Sequence, residues 1–246
     1  AQKMMSAEMR LTLEALVRGR ANLLVSGGSG AGKTTLLRAL SQFIDPMNRV
    51  ITVEDTAELN LTLADAPSLT TFIDRDPDGR IVRDVGLTQL VKEALRMRPD
   101  RIWVGETRGA EAYALTKAAL SGHDGAATTI HADDPQQAVK QLVSYVLEAG
   151  VPEEAARDQV ARAFHVVVQV ARISPTRRAI TAITEIEPVR ETGTEQRRNP
   201  LYLYDHQRDA FVRHGAGPSP RLRAALARYG VNFSELSNQL AGSHHG

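Results

Sequence analysis

Apolar positions along the chain alternate between two periods. Residues 6–18 put Met9, Leu13, Leu16 and Val17 on one face of a helix. Residues 21–26 (ANLLVS) follow as a short, nearly unbroken apolar run that ends in glycines, as expected of a strand buried on both faces of a parallel sheet. A helical period returns over residues 33–43. The cycle then repeats, with strands at 49–53, 101–105 and 126–131 and helices at 87–97, 110–120, 135–147 and 152–163. The helix at 87–97 stops before Pro99, because the residue ahead of a proline disfavours helical backbone. Runs at 69–73 and 80–82 flank a turn signal, Asp76-Pro77-Asp78-Gly79, and read as a hairpin.

From Phe164 the pattern changes. Residues 164–171, 179–186, 201–204 and 211–213 read as strands, the last two as a hairpin, and 218–229 and 233–240 as short helices. Strand–helix alternation up to residue 163 predicts an α/β fold with a mainly parallel sheet and helices on both faces. The remainder predicts a small antiparallel and helical C-terminal extension. We divide the chain into a lead-in helix (1–20), a core (21–171, a soft boundary) and the extension (172–246).

Composition narrows the picture modestly. With 246 residues there is room for one large α/β domain, or a core and an appendage. No stretch approaches the ~18–20 apolar residues of a membrane span, and no signal-peptide order opens the chain, which begins at Ala1. The absence of cysteine excludes disulfides, thiolate nucleophiles and Cys-based zinc sites. A net charge of +1 gives no argument for nucleic-acid binding. Every formal base after Lys140 is Arg or His; this reads as a solvated, arginine-biased surface, or as a surface for acidic partners. The terminal His244 and His245 are not read as a metal site.

One segment carries chemistry outright. Gly27-Gly28-Ser29-Gly30-Ala31-Gly32-Lys33-Thr34 fits the phosphate-loop pattern G-x-x-x-x-G-K-[ST], with an apolar strand before it and a helical pattern after it. The glycines permit positive φ and let backbone N–H groups converge on phosphate oxygens. The helix from Lys33 aims its positive end at the same oxygens. Lys33 is expected on the β- and γ-phosphates, the Thr34 hydroxyl on Mg2+ and Thr35 on the α-phosphate. ATP and Mg2+ are therefore the expected cofactors.

Hydrolysis also needs groups that orient water and help hold the ion. In an open α/β sheet these sit at the C-terminal ends of strands near the phosphate loop. The strand at 49–53 runs into Glu54-Asp55, that at 101–105 into Glu106, and that at 126–131 ends in His131. Glu106 is read as the carboxylate that polarises the attacking water. With no Asp at that strand end, the acid behind the ion's water is Glu106 itself, Glu54 or Asp55. His131 either bonds the γ-phosphate or makes a structural hydrogen bond.

With these residues assembled, the chain resembles the secretion traffic ATPases, the hexameric motors of type II and type IV secretion and of type IV and Tad pili. The resemblance covers about residues 4–190. It rests on four boxes in order: GGSGAGKTT (27–35), ITVEDTAEL (51–59), ALRMRPDRIWVGETRG (94–109) and SGHDGAATTIHADDP (121–135). The wording looks closest to the Tad/CpaF-like branch, with conjugation and type IV secretion close behind. The resemblance implies a RecA-like core and assigns roles. Glu106 matches the catalytic glutamate, and Glu54 and Asp55 the acids near Mg2+ and water. His131 and His123 match the His-box histidines, Arg96 an arginine that contacts nucleotide phosphate, and Arg108 the arginine after the Walker B glutamate. A second arginine of pilus retraction motors is Gln141 here, beside Lys140, and Asp133-Asp134 replace a usual Asn-Ser. The family's N-terminal domain has no counterpart in the 26 residues before Gly27, so a truncated or motor-only form is expected.

The resemblance further implies a homo-hexamer, cytoplasmic and peripheral to the inner membrane, working on a membrane platform or secretion-channel protein. Two readings of other classes compete. A DNA translocase would want a basic stripe with interleaved aromatics, which the sequence lacks, so no direct nucleic acid is expected. A non-hydrolysing ATP-binding module would not need Glu106 and its companion acids.

Overall fold

The computed structural model describes residues 4–188, 198–215 and 217–233. Its elements follow the expected order. Helix α1 (Ala7–Arg18) opens on Ser6, whose hydroxyl accepts the Met9 N–H, with Glu8 in the first turn and Arg18 in the last, as the helix dipole favours. Then come β1 (Leu23–Gly27), α2 (Lys33–Leu40), β2 (Val50–Glu54), β3 (Ser68–Thr70), β4 (Phe72–Arg75), β5 (Ile81–Val85), α3 (Leu87–Ala94), β6 (Arg101–Val104), α4 (Glu111–Leu120), β7 (Ala127–Ile130), α5 (Pro135–Leu147) and α6 (Glu153–Ala163). The chain continues with β8 (Val166–Ser174), β9 (Arg177–Ile186), β10 (Arg198–Asp205), β11 (Ala210–Arg213) and α7 (Pro220–Ala227).

One nine-stranded sheet runs in the order β11-β10-β9-β8-β1-β7-β6-β2-β3. From β8 to β3 every neighbouring pair is parallel, and from β8 to β11 every pair is antiparallel. β1 lies near the middle, with Leu23 opposite both Ala127 and Val166. Strand periodicity sends alternate residues to opposite faces. Leu24, Ile51, Ile102 and Val167 pack with the apolar sides of α3, α4, α5 and α6. Leu23, Val25, Val50, Trp103 and Val166 pack on the other face with α1, α2 and α7. This three-layer arrangement is the RecA-like α/β fold, and it leaves the strand ends as the open edges of the molecule.

Two expectations change. The run at 69–73 is not one strand. Residues 68–70 pair with β2 inside the main sheet, whereas 72–75 turn away and pair with β5 as a separate hairpin. Its turn is closed by Asp76, whose Oδ1 accepts the N–H groups of Asp78 and Arg80. The soft boundary near 171 falls inside β8, a strand bonded to β1 on one side and β9 on the other. The extension therefore continues the core sheet. The helix expected at 233–240 lies outside the described residues beyond its first position, as do His244 and His245. No helix among the described residues is long and apolar enough to cross a membrane.

Candidate active site

The phosphate loop starts where β1 leaves the centre of the sheet. A Cβ on Gly27 would stand 2.3 Å from the Val170 carbonyl oxygen, so β8 approaches too closely for any other residue. Gly30 and Gly32 hold φ of +65° and +99°, the left-handed region that glycine enters without cost. Gly28, Ser29 and Gly30 are exposed, while Ala31 and Lys33 are buried. No side chain caps α2 at Gly32, so the N–H groups of its first turn are left for another acceptor. That is the arrangement an anion completes.

Lys33 Nζ donates to the carbonyls of Gly27 at 3.1 Å and Gly28 at 3.2 Å and meets His131 Nδ1 at 3.2 Å. Burial pushes its pKa below the ordinary lysine range, and the negative charge of Glu106 opposes that shift. An ammonium only donates, so a hydrogen bond across this contact has Nδ1 as its acceptor, which corresponds to the tautomer with the proton on Nε2. That Nε2 lies 2.8 Å from Glu106 Oε1. The distance is short, but the N–H is not aligned, and Oε1 is buried without a hydrogen bond. The other oxygen, Oε2, takes the Arg108 Nε at 2.9 Å and its Nη2 as well. The pairing with Glu106 raises the pKa of Arg108, whose side chain is otherwise 63% exposed.

Local bonds fix the strand ends that present these groups. Thr129 Oγ1 donates to the Gly105 carbonyl, the Thr107 N–H donates to the Thr129 carbonyl, and Thr107 and Thr128 share a hydroxyl bond. Glu111, at the start of α4, accepts the N–H groups of Arg108 and Gly109. Glu54 is buried at the end of β2, and its Oε1 accepts the N–H groups of Glu58 and Leu59 at 3.1 and 2.9 Å. Gly105 makes room for it: a Cβ there would stand 2.8 Å from Glu54 Cγ. Glu54 Oε2 is buried with no partner.

Two connected spaces result. A cleft of about 800 Å3 is lined by Lys33, Thr34, Thr35, Glu106, His131 and Arg178, with residues 29–32 as its floor. A recess of about 170 Å3 is lined by Thr34, Glu54, Asp55 and Glu106. Thr34 and Glu106 belong to both. A hydrated divalent ion fits the recess: one hydroxyl is available as a direct ligand, and unpartnered carboxylate oxygens are available to its water shell. No cluster of three metal-ligating side chains occurs among the described residues.

The remaining candidates are placed elsewhere. Arg96 precedes β6 and His123 precedes β7, so both lie at the N-terminal edge of the parallel strands, opposite the phosphate loop. Arg96 is 81% exposed beside Glu93, and His123 is half-buried with its Nδ1 unpartnered. Neither reaches the cleft of its own chain. Conversely, the structure adds residues that no motif flags. Arg178 of β9 donates from Nε to the Gly30 carbonyl at 2.9 Å, and Arg38 Nη2 donates to the Glu58 carbonyl at 2.9 Å. Gln169 of β8 accepts from the Ser26 hydroxyl and donates to the Ala132 carbonyl at 3.1 Å, tying the residue after His131 to the phosphate-loop strand.

Comparison with known proteins agrees with this geometry. The sequence profile of the family described as "Type II/IV secretion system protein" matches residues 1–204. Protein VirB11 of Agrobacterium fabrum is 35% identical over 167 residues, covering 66% of this chain and 47% of the relative. Conjugal transfer protein TrbB of Rhizobium radiobacter is 32% identical over 191 residues, covering 76% of this chain and 55% of the relative. The crystal structure of the VirB11 ATPase from the Brucella suis type IV secretion system, in complex with sulphate, superposes with a TM-score of 0.61 at 30% identity, covering 74% of this chain and 58% of that one. The chain thus spans about half the length of these relatives. They are conjugation and type IV secretion proteins, and they support that branch over pilus assembly, the branch that the motif wording had placed first.

Proposed function

We propose that this chain, which belongs to the type II/IV secretion system protein family, is the Mg-ATP-hydrolysing motor domain of a type IV secretion or conjugation machine. The observation that carries this reading is a pair of buried carboxylate oxygens without a hydrogen bond beside a phosphate loop, Glu54 Oε2 and Glu106 Oε1, the latter facing His131 Nε2 at 2.8 Å. An unsatisfied buried acceptor costs about 1–3 kcal/mol, and a nucleotide with its hydrated ion supplies the missing donors. The loop N–H groups and Lys33 take the phosphates, with Thr35 at the α-phosphate. Thr34 would ligate Mg2+, and Glu54 and Asp55 would accept from water held by the ion. Bound Mg2+ would neutralise charge that develops on the phosphoryl oxygens. Glu106 Oε1 orients the attacking water, while Arg108 holds Oε2 and keeps that carboxylate in one rotamer. Water adds to the γ-phosphorus, the bond to the ADP oxygen breaks, and ADP and phosphate leave.

Force on a membrane assembly requires neighbouring copies whose contacts change with nucleotide state. We place the chain in a homo-hexameric ring, peripheral to the inner membrane on its cytoplasmic side, acting on a platform or secretion-channel protein without direct contact to nucleic acid. The first test is ATP hydrolysis per protomer against protein concentration, with Mg2+ present and Lys33→Ala as control. A specific rate that rises with concentration over a dead control is the expected result. A rate at the control's level at all concentrations, with nucleotide still bound, overturns hydrolysis by this chain alone.

A further inference from the structure

Strand β9 begins with two arginines that serve different faces. Arg177 holds Asp209 at 2.6 and 2.7 Å, in the turn between β10 and β11. Arg178, its neighbour, projects the other way, as successive strand residues do. It lies over the phosphate loop: its Nε donates to the Gly30 carbonyl, and its Cδ would be 3.4 Å from a Cβ placed on Gly32. Its side chain lines the nucleotide cleft with Lys33, Thr34 and Glu106. The other cations of this cleft have partners, since Arg108 is paired with Glu106, Arg38 is bonded to the Glu58 carbonyl and Lys33 to the loop carbonyls. Among the described residues no carboxylate lies within ion-pair distance of Arg178, and its one side-chain hydrogen bond there leaves both Nη groups uncommitted.

From this geometry we propose that Arg178 is a nucleotide-binding residue with two tasks. Through Nε it draws the Gly30 carbonyl outward, which keeps the loop N–H groups turned toward the phosphates at Gly30 and Gly32, where φ is left-handed at +65° and +99°. Through Nη1 and Nη2 it takes oxygens of the bound nucleotide's phosphates, a fork that suits phosphate geometry. The proposal rests on the nucleotide reading of the cleft, though not on hydrolysis. Because the contact forms with ADP and ATP alike, it strengthens ground state and transition state together. Its loss should therefore raise KM and leave kcat in place.

The test titrates a fluorescently labelled ADP into wild type, Arg178→Ala, Arg178→Lys and Arg177→Ala, and measures kcat and KM for ATP in parallel. Arg177→Ala is the internal control, since it removes the adjacent arginine of the same strand from the other face. The expected result for Arg178→Ala is an ADP Kd and an ATP KM each raised about tenfold, with kcat within about twofold. Arg178→Lys should recover less than half of that loss, because an ammonium cannot brace the carbonyl and fork a phosphate at once. Arg177→Ala should bind as wild type does. An unchanged ADP Kd in Arg178→Ala, full recovery by lysine, or an equal loss in Arg177→Ala overturns the proposal alone. A wild type that binds no ADP overturns the nucleotide reading and this proposal with it. A wild type that binds ADP without hydrolysing ATP overturns only the hydrolysis reading, and the Kd comparison still decides for or against Arg178.

Discussion

The two edges of the parallel sheet carry similar polar residues in opposite states. At the N-terminal edge, the Asn22 side chain donates to the Ala163 carbonyl at 2.6 Å and accepts the N–H groups of Gly125 and Ala126 at 2.7 and 2.9 Å. Its backbone N–H is taken by His165 Nδ1 at 3.0 Å. Arg101 is buried there between Asn48 Oδ1 and the Val17 carbonyl. At the C-terminal edge, Glu54 and Glu106 each have one oxygen anchored and one left over. Buried polar groups are normally paired, so the first edge is a joint between strands and the second is a site awaiting a partner. Among the described residues, His123 Nδ1 is an exception on the joint side.

The sharpest way to break this contrast is Glu106→Gln. It should keep nucleotide binding and lose about a thousandfold in kcat, as read by single-turnover hydrolysis, with thermal stability unchanged. Wild-type turnover in that variant would remove Glu106 from the chemistry.

The joint should report through pH. Burial, reinforced by Arg221, pushes the pKa of His165 down to about 4 from an ordinary 6.5. The unfolded chain therefore binds the extra proton first. The contribution of neutral His165 is complete above about pH 6.5 and is lost as pH falls from there toward 4, by about 3 kcal/mol over the window. Denaturant unfolding of wild type and His165→Gln at several pH values checks this. The variant should be flatter between pH 6.5 and 4, and equal slopes would contradict the assigned burial.

Gly105→Ala tests the site from behind. The added methyl group must displace Glu54, and a misplacement of about 1 Å costs about a hundredfold in rate; affinity for ADP should move little. The smallest effect is expected from Asn22→Ala, about 2 kcal/mol of stability from the donors and acceptors it orphans, with KM for ATP unchanged. A shift in KM would mean that the two edges communicate through β1.

Much of this edge contrast could be read along the chain, because its signals are local. The phosphate loop is contiguous, and strand, loop and helix succeed one another over residues 23–40. Glu54 ends β2, Glu106 lies two residues beyond β6 and His131 follows β7, and parallel pairing carries those ends to one edge. The same reasoning places Arg96 and His123, which precede their strands, at the other edge. That signal was present in the order of elements, yet the family's motif wording pointed the other way. Arg178 had no local signal. It meets Gly30 from 148 positions away, across a strand order in which β8 lies beside β1 and β9 beside β8. The continuity of the sheet through residue 171 was hidden for the same reason, since a change from parallel to antiparallel pairing looks in sequence like a change of domain.

Lys33 holds the Gly27 and Gly28 carbonyls and His131 with a single ammonium. A ligand that drew the ammonium away would remove one contact from the imidazole at the end of β7, from which the chain passes through Asp134 into α5, a helix packed on the sheet. One ammonium thereby rivets the phosphate loop to the end of β7, two segments 98 positions apart in sequence.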